Sequence, residues 1–145
     1  MFKNILLFSI IFGLFISCNS QNNVSKKDVD AFMEGYFEKV KQNNFYLIES
    51  YYSDEFYKTT DKNNWEDLYS KIHLALGKLI SIELESWNIQ STISTSGSGR
   101  SFTFVYNNTY ENGKAKETIN IFVPRGSDDI KIIGHNYNSN VFLIF

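Results

Sequence analysis

Apolar residues recur every three or four positions early in the chain: Val29, Phe32, Met33, Tyr36, Phe37 and Val40, with Asp30, Glu34, Glu38 and Lys41 between them. That spacing predicts an amphipathic helix over about Lys26 to Lys41 with an aromatic face turned to a core. Ser25 and Asp28 stand three apart just ahead of the stripe, the pattern of a capping box that satisfies free amides of a first turn. Asn43-Asn44 breaks the period, and Phe45, Leu47, Ile48, Tyr51 and Tyr52 predict a short second helix. Thr59 to Asn63 reads as loop. Trp65, Leu68, Tyr69, Ile72 and Leu76 then predict a third helix, with Asn64 and Asp67 as its capping pair and Gly77 supplying the left-handed residue at its end. His73 falls in the last turn, where the helix dipole favours a positive charge.

From Lys78 the period changes to two. Ile80, Ile82 and Leu84 share one face, Glu83 and Glu85 the other, and Trp87 and Ile89 are out of phase with the first set. A bulge near Glu85-Ser86 would re-aim the strand and account for the switch. Ser94 to Gly99 reads as a turn. Phe102, Phe104 and Tyr106 alternate with Thr103, Val105 and Asn107; Asn112-Gly113 is a hairpin signal, since both residues tolerate positive φ. A returning strand is expected from Ala115 to Val123, a turn from Pro124 to Asp129, a fourth strand from Ile130 to Tyr137, and a short apolar tail from Val141 to Phe145. Helices first and strands afterwards, joined by short turns, imply an α+β fold: N-terminal helices packed on a four-stranded curved antiparallel meander sheet.

The first residues follow a different rule. Met-Phe-Lys-Asn is followed by an apolar run from Ile5 to Ile16, 12 residues broken only by Ser9 and Gly13, and then Ser17-Cys18. A spanning helix needs about 20 apolar residues, whereas 12 suits the core of a signal peptide. A basic start, an apolar core, a small residue and a cysteine resemble a bacterial lipoprotein signal, although Phe15 stands where the lipobox usually has Leu. The resemblance implies cleavage before Cys18, the only cysteine of the chain, which becomes the first residue and carries lipid through a thioether on its sulfur. An ordinary secretory signal with a coincidental cysteine, or a short uncleaved anchor, is the alternative. The expected organisation is a lipoprotein signal peptide over 1–17, a lipidated tether over 18–25 and one α+β domain over 26–145. The expected location is the cell envelope, on a membrane facing the periplasm.

Cleavage would remove 17 of the 145 residues and leave 128, enough for one core. Loss of Lys3 would take the formal net charge from −2 to −3. No basic stripe is present, which argues against a nucleic-acid partner. The chain has no G-x-S-x-G, phosphate-binding loop or H-E-x-x-H, and its two histidines, His73 and His135, are too few for a zinc site. No cofactor or metal is implied.

One polar residue is out of place. Alternation puts Ala115, Glu117, Ile119, Ile121 and Val123 on one strand face, and that face reads as inward. A carboxylate there must be paired, hydrogen-bonded or neutralised, and such groups are candidates for function as well as for structure. His135, Tyr106, Tyr137 and Trp87 complete the candidate pocket around Glu117.

Several of these stretches resemble a known family: Trp65 opening a helix, Leu76-Gly77 closing it, the strand Phe102-Thr103-Phe104-Val105-Tyr106, then Ala115-Lys116-Glu117-Thr118 and Ile132-Ile133-Gly134-His135. Over roughly Val29 to Tyr137 the chain resembles the bacterial domain of unknown function numbered 4019, within the cystatin-like, nuclear-transport-factor-2-like α+β superfamily. The resemblance implies a pocket between the long helix and the curved sheet. It departs at His73 and near Ile82, where the family often carries arginine, so a role of those arginines would not extend here. Three functions are compatible with these readings. One is a lipid-anchored envelope module whose domain binds a protein partner or a small apolar ligand. Another is a pocket enzyme of isomerase or hydrolase type, with Glu117 and His135 as acid and base. The third is structural, with assembly through the sheet edge or the Val141–Phe145 tail.

Overall fold

The structure, a computed structural model, describes residues 24–94 and 97–141. The segment expected to be a signal peptide, Cys18, most of the expected tether and the tail beyond Val141 lie outside the described residues. Among the described residues no helix is long and apolar enough to cross a membrane.

Helix α1 spans Lys26–Val40 and begins as its sequence demands. The Ser25 side chain accepts from the Asp28 amide, and the Ser25 amide donates to the Asp28 carboxylate at 2.7 Å. Those bonds hold the Asp28 carboxyl below its usual range. Val29, Met33, Tyr36, Phe37 and Val40 are buried along one face. Val24, ahead of the cap, is buried too, so packing starts before the helix.

The single second helix expected over Phe45 to Tyr52 is instead two short 3₁₀ turns, Phe45–Leu47 and Glu49–Tyr51. The Asn44 side chain accepts from the Tyr46 amide at 3.1 Å and holds the chain in a tight turn. Helix α2, Asp54–Thr59, follows under a Ser53 cap. Helix α3 spans Lys62–Leu76 and starts earlier than expected. Its cap is Asp61, whose carboxylate accepts from the amides of Asn63 and Asn64, at 3.0 and 3.1 Å. A carboxylate at this position also meets the positive end of the helix dipole. Gly77 ends α3 at φ 76°, and a β-carbon there would stand 2.9 Å from the Glu111 side chain.

Strands β1 (Leu79–Ser94), β2 (Gly97–Tyr110), β3 (Gly113–Pro124) and β4 (Lys131–Asn138) form one open antiparallel sheet in the order 1-2-3-4. The expected turn over Ser94 to Gly99 is shorter in the structure: Ser94 pairs with Gly97, and both strands run to the hairpin. The bulge expected near Glu85 is present, between Leu84 and Ser86, and a second one displaces Ile80. Leu84 and Trp87 therefore face the same side, opposite Tyr106 and Phe104.

The helices cover one sheet face. Its fully or nearly buried rows are Phe102, Phe104, Tyr106, Asn108 and Tyr110 on β2 and Ala115, Glu117, Ile119, Ile121 and Val123 on β3. Burying a large apolar side chain in such a layer contributes roughly 1.5–3 kcal/mol. On β4 a third bulge lets Ile121 pair with Ile132 while Asn120 pairs with Gly134. Ile133 is the extra residue, and the strand beyond it is turned over. His135 and Tyr137 then stand opposite inward Ile119 and Glu117. The backbone of Tyr52 bridges to Ile132, and the Ser53 amide donates to the Ile132 carbonyl at 2.9 Å, tying the helical layer to this edge.

Candidate functional site

Glu117 is wholly buried at the centre of the helix-covered face, where its strand's alternation places it. Two donors come from the neighbouring strand β2: Asn108 Nδ2 at 2.8 Å and the Tyr110 hydroxyl, both to Oε1. On the other flank, β4 brings His135 Nε2 to within 3.2 Å of Oε2. Burial pushes the Glu117 carboxyl up, but the bonds from His135, Tyr110 and Asn108 and the neighbouring imidazole outweigh it, and the net shift is downward.

The chain of bonds continues into the helical layer. His135 Nδ1 lies 2.8 Å from the Tyr52 hydroxyl and 3.5 Å from that of Tyr36, and the two hydroxyls are 3.1 Å apart. The simplest assignment has Nε2–H donating to Glu117 and Nδ1 accepting from Tyr52, which accepts in turn from Tyr36. The imidazole is stacked against Tyr137 at 4.5 Å between centroids and packed near Trp65 at 5.7 Å. Burial raises the hydroxyls of Tyr36, Tyr52 and Tyr137 well above the usual phenol range, so they remain donors.

His73 departs from its expected role. It is 2% exposed, packed at 4.0 Å on Tyr69, with Nε2 at 3.4 Å from the Tyr137 hydroxyl. Desolvation lowers its pKa to about 4, against the pull of Glu117. At neutral pH it carries no charge to offer the helix dipole.

Of the candidate pocket residues, the structure brings Glu117, His135 and Tyr137 together. Tyr106 faces the same side but packs edge-on against Phe37 at 4.9 Å, by the cleft between α1 and β1. Trp87 lies away from the carboxylate, with the Lys26 ammonium 4.7 Å over its ring. Sequence reasoning missed Asn108, Tyr110, Tyr36 and Tyr52 as partners. Asn108 and Tyr110 continue the inward alternation of Phe102, Phe104 and Tyr106, so the β2 pattern carried that signal.

A groove of about 710 Å³ opens between α3 and β4 beside this cluster. Trp65, Leu68, Ile72 and Ala75 line it from the helix, His135 and Tyr137 from the strand. Leu68 is 48% exposed at its rim. The His135 and Glu117 side chains are both wholly shut from solvent. His135 is thus part of the groove wall with its side chain turned inward, and Glu117 lies behind it. The carboxylate also accepts from three donors already, an arrangement suited to holding a charge in place and poorly suited to accepting a proton from a substrate. Among the described residues no cluster of His, Cys, Asp and Glu could hold a metal ion.

Comparison with family models, with curated proteins and with solved structures finds no match.

Proposed function

We propose that this chain is a lipid-anchored envelope protein whose α+β domain, of the cystatin-like, nuclear-transport-factor-2-like kind, takes a small apolar ligand in the groove between α3 and β4. The groove carries the reading. It is large enough for a small molecule, mostly apolar, and backed by a buried hydrogen-bonded network, the usual make-up of a ligand site. The basic start, the 12-residue apolar run and Cys18 support the anchor. Binding of N-phenyl-1-naphthylamine, an uncharged apolar fluorophore, tests the groove. The protein should enhance its fluorescence saturably, and Ala75→Trp, which fills the groove, should weaken binding at least tenfold. Equal binding by both proteins would sink the groove reading. Fractionation tests the anchor: Cys18→Ser should move the protein from the membrane to the soluble fraction.

The enzyme reading retains one favourable observation, the 3.2 Å contact between Glu117 and His135. It requires an opening that exposes the pair. A turnover that Glu117→Gln abolishes, in a protein that still folds, would establish it over the binding reading.

A further inference from the structure

The two sheet edges are treated very differently. β4 is short, begins at Lys131, carries a bulge at Ile133 and is bridged at Ile132 by Tyr52. The first half of β1 is also guarded, by bulges at Ile80 and Glu85 and by the charges of Glu83 and Glu85. These are the devices that keep natural sheets from pairing edge to edge. From Ser86 to Ser94 β1 has none of them. The run Ser-Trp-Asn-Ile-Gln-Ser-Thr-Ile-Ser has no charge, no proline, no glycine and no bulge, and it pairs continuously with β2 from Val105 to Gly97. Among the described residues its outer edge pairs with nothing.

Its inner face is unfinished as well. Trp87, Ile89 and Ile93 fall on the helix-covered side, opposite Phe104, Phe102 and Ser98, yet remain 45%, 40% and 90% exposed. The α1 helix reaches only the near part of this surface, with Lys26 over Trp87.

We infer that Ser86–Ser94 is a dimerisation edge on which a second copy of this chain pairs antiparallel about a two-fold axis at Gln90. That register sets Trp87 opposite the partner's Ile93, Asn88 opposite the partner's Thr92 and Ile89 opposite the partner's Ser91. The inner faces then bring the aromatic and aliphatic side chains together, and the outer faces meet through neutral polar groups. No like charges oppose each other, a condition the Glu83-to-Glu85 stretch would violate. A two-fold contact closes on itself. Head-to-tail pairing of β1 with the far edge would instead grow filaments, and the guarded β4 prevents it. The paired run is about 30 Å long, and such an edge contact buries less than the roughly 800 Å² per partner of a standard interface. Association is therefore weak, in the micromolar range.

The test is independent of the groove. Sedimentation equilibrium of the full chain in density-matched detergent should show a concentration-dependent monomer–dimer equilibrium. Gln90 is exposed, and in the proposed register it faces the partner's Gln90 directly. Gln90→Lys alone and Gln90→Glu alone place like charges across the axis and should each weaken the dimer at least tenfold. An equimolar mixture of the two should restore it as a heterodimer. A wild type that stays monomeric throughout would overturn the inference. So would a dimer indifferent to both substitutions, or a mixture that fails to recover.

Discussion

Glu117 carries its charge into the middle of an aromatic core, and the consequences follow from how few bonds would be lost by neutralising it. Oε1 accepts from Asn108 and Tyr110; Oε2 accepts from His135. In Glu117→Gln the amide oxygen can keep the two β2 donors, and the amide nitrogen can donate to His135 if the imidazole shifts its proton to Nδ1, toward Tyr52. The network survives without a charge, so this variant should lose only about 1 kcal/mol. Glu117→Ala leaves three buried donors facing a void and should lose roughly 3–5 kcal/mol. Urea denaturation at neutral pH distinguishes the two; equal losses would show that the charge itself, and not the bonding pattern, holds the cluster together. The inward carboxylate is legible in the sequence because β3 alternates without interruption from Ala115 to Val123. His135 is legible as a neighbour, but its orientation is not. Ile132 and Ile133 are both apolar, either could face inward, and only the bulge between them decides that His135 turns toward Glu117.

At the scale of elements, the same contrast separates boundaries that the sequence specifies once from those it specifies twice. α1 has one acceptable cap, Ser25, and begins after it. Two overlapping patterns precede α3, Asp61 with Asn64 and Asn64 with Asp67, one turn apart. Asp61 prevails because its carboxylate reaches two amides and α2 ends only two residues before it. Asp61→Ala should therefore cost about 1 kcal/mol, while Asn64→Ala, inside the first turn, should stay within roughly 0.5 kcal/mol. Thermal melts of the two variants check this; the reverse order would return the helix start to Asn64. The bulge on β1 is legible for a related reason. Leu84 and Trp87 are apolar residues three apart in a strand, and only an extra residue between them lets both face the core. Order and number of strands are legible from the breaks at Asn112-Gly113 and Pro124, although the first turn is Glu111-Asn112, with Gly113 already in β3 and neither Asn112 nor Gly113 at positive φ. The 3₁₀ turns are not, since Phe45 to Tyr52 has the apolar spacing of a helix and the Asn44 side-chain bond that tightens it leaves no mark on that spacing.

On the scale of the whole molecule, one helical layer covers one sheet face, and groups with displaced titration sit in the seam between them: Glu117, His73 and the ring of tyrosines. Stability must then depend on pH more than the surface charges would suggest. His73 has a folded pKa of about 4 against an ordinary 6.5. In that interval the unfolded chain binds a proton that the native state refuses, so stability is complete above about pH 6.5 and falls as the pH drops toward 4. Glu117, whose folded pKa is lowered from 4.5, acts in the same direction but only below that value. On the alkaline side the buried hydroxyls of Tyr36, Tyr52 and Tyr137, and the half-buried one of Tyr57 at about 12, resist ionisation, and stability falls again above pH 10. Measurement at pH 5 isolates His73 from Glu117. There the histidine should have removed about 2 kcal/mol relative to pH 8, because proton uptake by the unfolded chain costs the fold about 1.4 kcal/mol for each step of one in pH below 6.5. His73→Phe keeps the packing against Tyr69 and gives up one 3.4 Å hydrogen bond to Tyr137. Whatever that variant loses at pH 8, it should lose about 2 kcal/mol less than the wild type on going to pH 5. Urea midpoints at the two pH values give the difference directly, and parallel losses in both proteins would mean that His73 can take up its proton within the fold.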